Sequence, residues 1–231
     1  ILPVNVANKQ LFVDVVDSHG KTMVSLDVGN YTAYVNYTNS NYDINLTNCS
    51  FIVSKADVAL RIEVLDKVYT ADITGNVFAS VDGEYSVVVG KYSVLVTVLN
   101  GVGAFDVGVL DVGSYTVRVI FAGNENYNAN VNESTFEVTR SGTNFNIVAN
   151  ETNITYGNSV NVTQSLPGDA TGTISYSFAN GTVIKVLNVG ESFIMPILDV
   201  GTYVVYANYS GDSNYAPARD SFTLTINKAI N

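Results

Sequence analysis

The chain has 231 residues, 47% hydrophobic and only 14% charged, with 11 basic against 21 acidic side chains and a net charge of -10. Such a surface repels phosphate and argues against a nucleic-acid partner; one Cys and one His leave no disulfide framework, no Cys-rich zinc site and no basis for a His-ligated metal or a catalytic triad. With 37 Val and 27 Asn the sequence is too apolar and β-branched to be disordered.

No apolar run approaches the roughly 18 residues of a membrane helix, and no signal peptide opens the sequence. Ile1 stands where a Met would begin a gene product, so the chain is expected to be an interior piece of a longer protein. Three phrases organise it. Leu26-Asp27-Val28-Gly29 recurs at Leu110-Asp111-Val112-Gly113 and Leu198-Asp199-Val200-Gly201, at offsets of 84 and 88 residues. A repeat of that length implies tandem modules. The expected boundaries are 1–55 for the C-terminal part of a first module, 56–140 for a second and 141–231 for a third, with Lys55, Arg140 and Lys228 at equivalent seams.

In the first module, residues 1–16 align with the stretch after Gly83, and His19-Gly20 reads as a hairpin turn. Tyr31, Ala33, Val35 and Tyr37 alternate onto one face of a strand. A turn over Tyr37 to Tyr42 leads to a last strand with Cys49, Phe51 and Val53 inward, so Cys49 is expected to be a buried, inert hydrophobe. Nothing here matches residues 56–84, so this module's sheet is expected to be incomplete. In the second module, Thr74-Gly75-Asn76-Val77 aligns with Thr171-Gly172-Thr173-Ile174, and Asp82-Gly83 with Asn180-Gly181. On that alignment the second module carries about ten extra residues near Val87 to Tyr92, a longer hairpin or an added edge strand. Asp82-Gly83, Asn100-Gly101 and Asn180-Gly181 read as hairpin turns. The inward rows Tyr115, Val117, Val119, Phe121 and Tyr203, Val205, Ala207, Tyr209 repeat the first module's pattern. No helical periodicity exceeds two turns. The expected class is all-β, tandem immunoglobulin-like β-sandwich modules without disulfides.

Asp-Val-Gly-x-Tyr resembles the tyrosine corner of immunoglobulin-like sandwiches. The resemblance implies a structural role for Asp27, Gly29 and Tyr31, for Asp111, Gly113 and Tyr115, and for Asp199, Gly201 and Tyr203, with each phenol bonding back to a nearby backbone group. The family's Cys position holds Ala33, Val117 and Val205. The longer phrase from Leu198 to Tyr215 resembles the bacterial immunoglobulin-like repeat, and the Asn, Val and Tyr richness with no Trp is similar to adhesin-like surface proteins of methanogenic archaea. That resemblance implies an extracellular, cell-surface location and modules that act as stalks, with neighbouring modules of the same chain as partners and other copies or a host or microbial surface as further ones.

Asn-x-Ser/Thr sequons occur at Asn30, Asn36, Asn45, Asn48, Asn132, Asn150, Asn153, Asn161, Asn180 and Asn208. They are candidate N-glycosylation sites, with Asn36 and Asn208 on the outward parity of equivalent strands. The turns Gly123-Asn124-Glu125-Asn126 and Gly211-Asp212-Ser213-Asn214 offer oxygens but no calcium-loop pattern, and turn chemistry explains them. No nucleophile–base pair or phosphate-cradling loop is present, so neither an enzyme nor a cofactor or metal is expected. Lys67, Lys91 and Lys185 are candidates for an intramolecular Lys–Asn cross-link. Three functions stay open: a glycosylated stalk of a surface adhesin-like protein, a subunit of an extracellular filament or sheath built by intermolecular strand pairing, and a carbohydrate-binding module.

Overall fold

The computed structural model describes residues 13–16, 26–35 and 48–230. The readings on His19, on the Tyr37 to Tyr42 turn and on Asn36 and Asn45 lie outside the described residues.

Nineteen strands and no helix make up the described residues. The first three, β1 (Val13–Val16), β2 (Gly29–Val35) and β3 (Asn48–Val53), form one antiparallel sheet in that order. Eight more follow: β4 (Leu60–Val64), β5 (Lys67–Val68), β6 (Thr74–Ala79), β7 (Gly83–Val89), β8 (Tyr92–Val98), β9 (Val102–Asp106), β10 (Gly113–Phe121) and β11 (Asn130–Thr139). They divide into a sheet β4-β6-β9 and a sheet β5-β11-β10-β7-β8. The last eight repeat this: β12 (Asn146–Ala149), β13 (Asn153–Thr155), β14 (Asn161–Ser165), β15 (Thr173–Phe178), β16 (Val183–Asn188), β17 (Phe193–Ile194), β18 (Gly201–Tyr209) and β19 (Ala218–Asn227). Their sheets are β12-β14-β17 and β13-β19-β18-β15-β16, the same order strand for strand.

Both sandwiches share a distinctive crossing. The short β5 runs parallel to β11, and β13 parallel to β19, while other pairings are antiparallel. The chain leaves one sheet after β4 or β12 and closes the edge of the other. That is an immunoglobulin-like arrangement of two face-to-face sheets.

The period of two explains the core. Val117, Val119 and Phe121 of β10 are buried, as are Val205, Ala207 and Tyr209 of β18, while Thr116 and Arg118 between the former point outward. Tyr85, Val87 and Val89 of β7 lie beside the β10 row, and Val77, Ala79 and Phe105 face them from the other sheet. Each fully buried Val contributes on the order of 1.5–3 kcal/mol, so a Val-rich pattern can build a core without Trp. The second core, around Ile174, Tyr176, Leu224 and Ile226, is separate from the first.

The strand order corrects three expectations. Pairing places Val89 opposite Val117, and Phe178 opposite Val205, so β7 is the counterpart of β15. The true match of Thr171-Gly172-Thr173-Ile174 is therefore Asp82-Gly83-Glu84-Tyr85, whereas Thr74 to Val77 lies on β6, a strand of the opposite sheet. The Val87 to Tyr92 stretch is no insertion. It is the β7–β8 hairpin, present in the third module as β15–β16. Similar Thr-Gly dipeptides, one opening β6 and the other just before β15 of the opposite sheet, misled the alignment. Second, Asp82-Gly83 is not a hairpin turn, because it connects β6 to β7 across the sandwich; the Asp82 carboxylate instead accepts from the N–H groups of Asn100 and Gly101 and ties down their turn. Third, Cys49 is exposed. It shares a face with Phe51, but among the described residues no second sheet covers β1–β3. In its own order that sheet reproduces β7-β10-β11, and among the described residues it has no equivalents of β4 to β6.

Candidate functional site

The three Asp-Val-Gly-x-Tyr motifs sit where β2, β10 and β18 begin. In each, the phenol folds back four residues: Tyr31 donates to the Asp27 carbonyl at 2.8 Å, Tyr115 to that of Asp111 at 2.9 Å and Tyr203 to that of Asp199 at 3.0 Å. Tyr85 makes the same loop to the Val81 carbonyl at 2.7 Å. That fourth phenol was not singled out from the sequence, although Gly83-Glu84-Tyr85 carries the same Gly-x-Tyr spacing. Gly113 and Gly201 have ordinary φ, and a Cβ on either would only touch the tyrosine ring at 3.5 Å. Smallness there is convenient rather than obligatory.

The motif's Asp side chain does something that spacing did not reveal. Asn126, from the turn between β10 and β11, donates its Nδ2 to Asp27 Oδ1 at 2.9 Å and accepts the Val28 N–H at 3.0 Å. Asn214, from the equivalent turn between β18 and β19, donates to Asp111 Oδ1 at 3.0 Å and accepts the Val112 N–H at 3.1 Å. One Asn amide thus reads both a carboxylate and an N–H of the preceding motif, twice. The backbone repeats as well. Ala56 donates to the Asn126 carbonyl and accepts from Asn128, while Ser141 donates to the Asn214 carbonyl and accepts from Ala216. Beside them Lys55 Nζ reaches the Asn124 carbonyl and Arg140 Nε the Ser213 carbonyl. Lys55 and Arg140 are therefore bonded parts of two matching junctions.

Local chemistry builds the turns that present these Asn residues. Asn124 Oδ1 accepts the N–H groups of Asn126 and Tyr127, and Asp212 Oδ1 those of Asn214 and Tyr215, at 2.7–3.0 Å. These are Asx turns. Gly123 (φ 82°) and Gly211 (φ 72°) precede them, and a Cβ on either would lie 2.8 Å from a backbone nitrogen. Desolvation pushes the Asp212 carboxyl up, but N–H bonds from Thr171, Tyr215 and Asn214 outweigh it and hold the group at about 2. Tyr209, whose hydroxyl donates to the Thr171 carbonyl and to Asp212, is pushed up to about 12 by desolvation and by the Asp212 charge.

The second junction carries an aromatic addition. Tyr69, just past β5, meets Tyr215 edge-on with ring centroids 5.4 Å apart, and both hydroxyls donate to Asp169, at 2.7 and 2.8 Å. Those two phenol bonds hold the Asp169 carboxyl below its ordinary value. Tyr69 is raised by the same bond and by desolvation, and Tyr215 reaches about 12 through desolvation and then Asp169. None of Tyr69, Asp169, Asn126 or Asn214 was picked out as functional from sequence, though Asn-Tyr closes all three phrases. A turn needs an Asx at its first position but nothing at that later Asn, so its recurrence was the available signal.

Among the sequons, Asn30, Asn48, Asn150, Asn153, Asn161 and Asn180 are exposed and Asn208 is half-buried. Asn132 differs, because its Nδ2 donates to the Leu60 carbonyl of the facing sheet. Among the described residues no cluster of His, Cys, Asp and Glu could hold a metal ion. Lys91 lies over the Tyr92 ring at 5.3 Å, and no Asn contact accompanies it.

Residues 147–227 match the model of the bacterial Ig-like domain (group 3). Solved structures similar to the chain include fibronectin(III)-like modules of Clostridium thermocellum CbhA, at 13% identity and TM-score 0.32 over 74% of this chain and 94% of that one. Titin domains z1z2, crystallised with telethonin, are 12% identical with TM-score 0.40 over 77% of this chain and all of that one. The amphioxus IgVJ-C2 molecule is 13% identical with TM-score 0.36 over 68% and 99%. No curated protein matches the chain, and no described helix is long and apolar enough to cross a membrane. The third module therefore matches the bacterial Ig-like domain, the second shares its strand order, and the immunoglobulin-like fold of both fits a non-enzymatic surface or spacer module.

Proposed function

We propose that the chain is a segment of a cell-surface adhesin-like protein of the archaeal type, in which immunoglobulin-like modules bounded near residues 55 and 140 act as a glycosylated stalk. The single observation that supports this most directly is the pair of matching junctions, where the same backbone and Asn side-chain bonds join successive motifs. A flexible linker would not need them. The corner tyrosines and their Asp and Gly residues serve structure in this reading, and the exposed sequons carry the sugar. Asn132 is omitted from that set, because its amide is engaged between sheets.

Small-angle scattering of the purified chain tests the stalk. Modules held end to end give an elongated particle, each roughly 35–40 Å long if built from strands of about ten residues; a compact particle with modules folded back sinks the reading. Mass spectrometry of the protein from its native source reports which of Asn30, Asn48, Asn150, Asn153, Asn161, Asn180 and Asn208 are modified.

One observation favours the filament as a second reading. The β1–β3 sheet has no second sheet over it among the described residues, and Cys49, on the face that would meet one, is exposed. A strand from another chain could complete such a sheet. Amide protection over Tyr31 to Val35 that rises with protein concentration would support strand donation. A carbohydrate-binding module is less well supported, since Tyr85, Tyr176, Tyr209 and Tyr215 are buried and the exposed Tyr92, Tyr156 and Tyr206 lie in three different places, on β8, just past β13 and on β18.

A further inference from the structure

The second junction has a receiving half and an inserting half. Tyr69, Asp111 and Val112 receive; Asp169, Asn214 and Tyr215 insert. The third module carries its own copy of the receiving half. Tyr69 N–H donates to the Thr139 carbonyl at 2.8 Å, and Tyr156 N–H donates to the Asn227 carbonyl at the same distance. Each follows the short parallel strand, β5 or β13, so Tyr156 occupies the position of Tyr69. Asp199 and Val200 likewise stand where Asp111 and Val112 do, fixed by the same corner bond. The occupancy differs. Tyr69 and Val112 are half-buried, whereas Tyr156 is 47% and Val200 46% exposed.

We propose that Tyr156, Asp199 and Val200 form the receiving face of a third junction, and that its occupant is a further immunoglobulin-like module, covalently continuous with this one, presenting a Gly-Asx-x-Asn-Tyr turn. Two features select that occupant. The polar half of the face is one carboxylate oxygen and one N–H, a pair that a primary amide spans with two separate atoms, its nitrogen donating and its oxygen accepting, whereas a lone cation meets only the carboxylate and a second carboxylate only the N–H. Covalent continuity follows from Lys228-Ala229, which repeats Lys55-Ala56; at the first junction that Lys and Ala bond the incoming turn directly. The apolar half then buries Tyr156 and Val200, as Tyr69 and Val112 are covered now. This inference rests on the tandem-stalk reading above and specifies how such a stalk continues.

The test is amide exchange, resolved by NMR, in the 231-residue chain extended after Ala229 by a second copy of residues 142–231. The Val200 N–H is the reporter, and the Val112 N–H is the internal reference. The extension should slow exchange at Val200 by roughly tenfold, and Asn214→Ala placed in the appended copy alone should restore the fast rate. Val200 exchanging as fast as before, while Val112 stays protected, overturns the inference and leaves the stalk standing. Fast exchange at Val112 as well would overturn the junction and the stalk together. Slow exchange at Val200 in the unextended, dilute chain would show that no occupant is needed and also overturns it. Protection that appears only at high concentration of the unextended chain would place a second copy there and refute covalent continuity.

Discussion

The two complete sandwiches share every strand and differ in what holds the same turn. In the second module the last inward residue of β10 is Phe121, stacked on Tyr85 at 5.1 Å, and the Asx turn begins with neutral Asn124. In the third the corresponding residues are Tyr209 and Asp212, joined through the phenol and carboxylate and bonded on to Thr171. One apolar–neutral pair and one polar–ionised pair give one backbone. Binary pattern and turn chemistry specify the fold, and the side chains layered on it decide how the module answers to pH. The junctions differ in the same way: both have the Asn clasp, and among the described residues the phenol–carboxylate cluster of Tyr69, Asp169 and Tyr215 belongs to the second.

The largest contrast should come from alkali. Tyr176, Tyr209 and Tyr215 lie at about 12 when folded, through desolvation first in each case, against about 10 when unfolded. Their stabilising contribution is complete below pH 10 and is lost as pH climbs towards 12. In the second module Tyr85 and Tyr115 are raised by desolvation first and Tyr69 by its bond to Asp169, none of them by so large a shift. Base titration followed by circular dichroism and tyrosinate absorbance should unfold the third module first. Acid sharpens the comparison. Asp212, near 2 when folded, contributes above its unfolded value of about 4 and loses that contribution as pH falls through 2, whereas Asn124 cannot titrate. Equal acid midpoints for the two modules would break this account.

Next in size are Gly123→Ala and Gly211→Ala. Each forces a side chain into positive φ and within 2.8 Å of a backbone nitrogen, at a cost of about 2–3 kcal/mol. The loss should appear in the module that owns the turn, together with weaker protection of Val28 or Val112 in the module before it. A smaller effect is expected from Tyr69→Phe or Asp169→Asn. Either removes the Tyr69–Asp169 phenol–carboxylate bond from the second junction, measurable as a lowered transition of the joined modules with the first junction unchanged. A double-mutant cycle of the two should show them to be strongly non-additive.

Much of this was legible beforehand. The period of two over Tyr115 to Phe121 and Tyr203 to Tyr209 assigned the inward faces, because a strand's pleat leaves no other arrangement. The corner phenols were placed by resemblance, and the bonds from Tyr31, Tyr115 and Tyr203 run to main-chain carbonyls four residues back. The middle of the second module was misread, because Thr74-Gly75 and Thr171-Gly172 look alike but lead into strands of opposite sheets, and local composition does not encode sheet membership. The junctions were hardest. Asp111 and Asn214 are 103 residues apart, and nothing in a repeat unit read alone shows that its Asp is completed by the next unit's Asn. Cys49 failed for a related reason: alternation predicts a face, and burial needs a second sheet.

The smallest expected effect separates two kinds of corner. Tyr115→Phe and Tyr203→Phe each remove one hydrogen bond to a carbonyl, at sites the structure leaves open to solvent. Water can replace the lost donor there, so the loss should be about 0.5–1 kcal/mol, below the 1–3 kcal/mol expected where a buried acceptor is orphaned. Tyr85 makes the same loop from a fully buried ring to the Val81 carbonyl. Water reaches that carbonyl less easily, so Tyr85→Phe should fall at or above 1 kcal/mol. Urea melts of the three variants, read by module-specific amides, decide the matter. Each loss should stay in its own module, since tandem repeats couple only through their neighbours. A Tyr115→Phe loss as large as that of Tyr85→Phe would mean that the motif's tyrosine holds more than its own strand, and its place beside Asp111 would make the junction the first place to look.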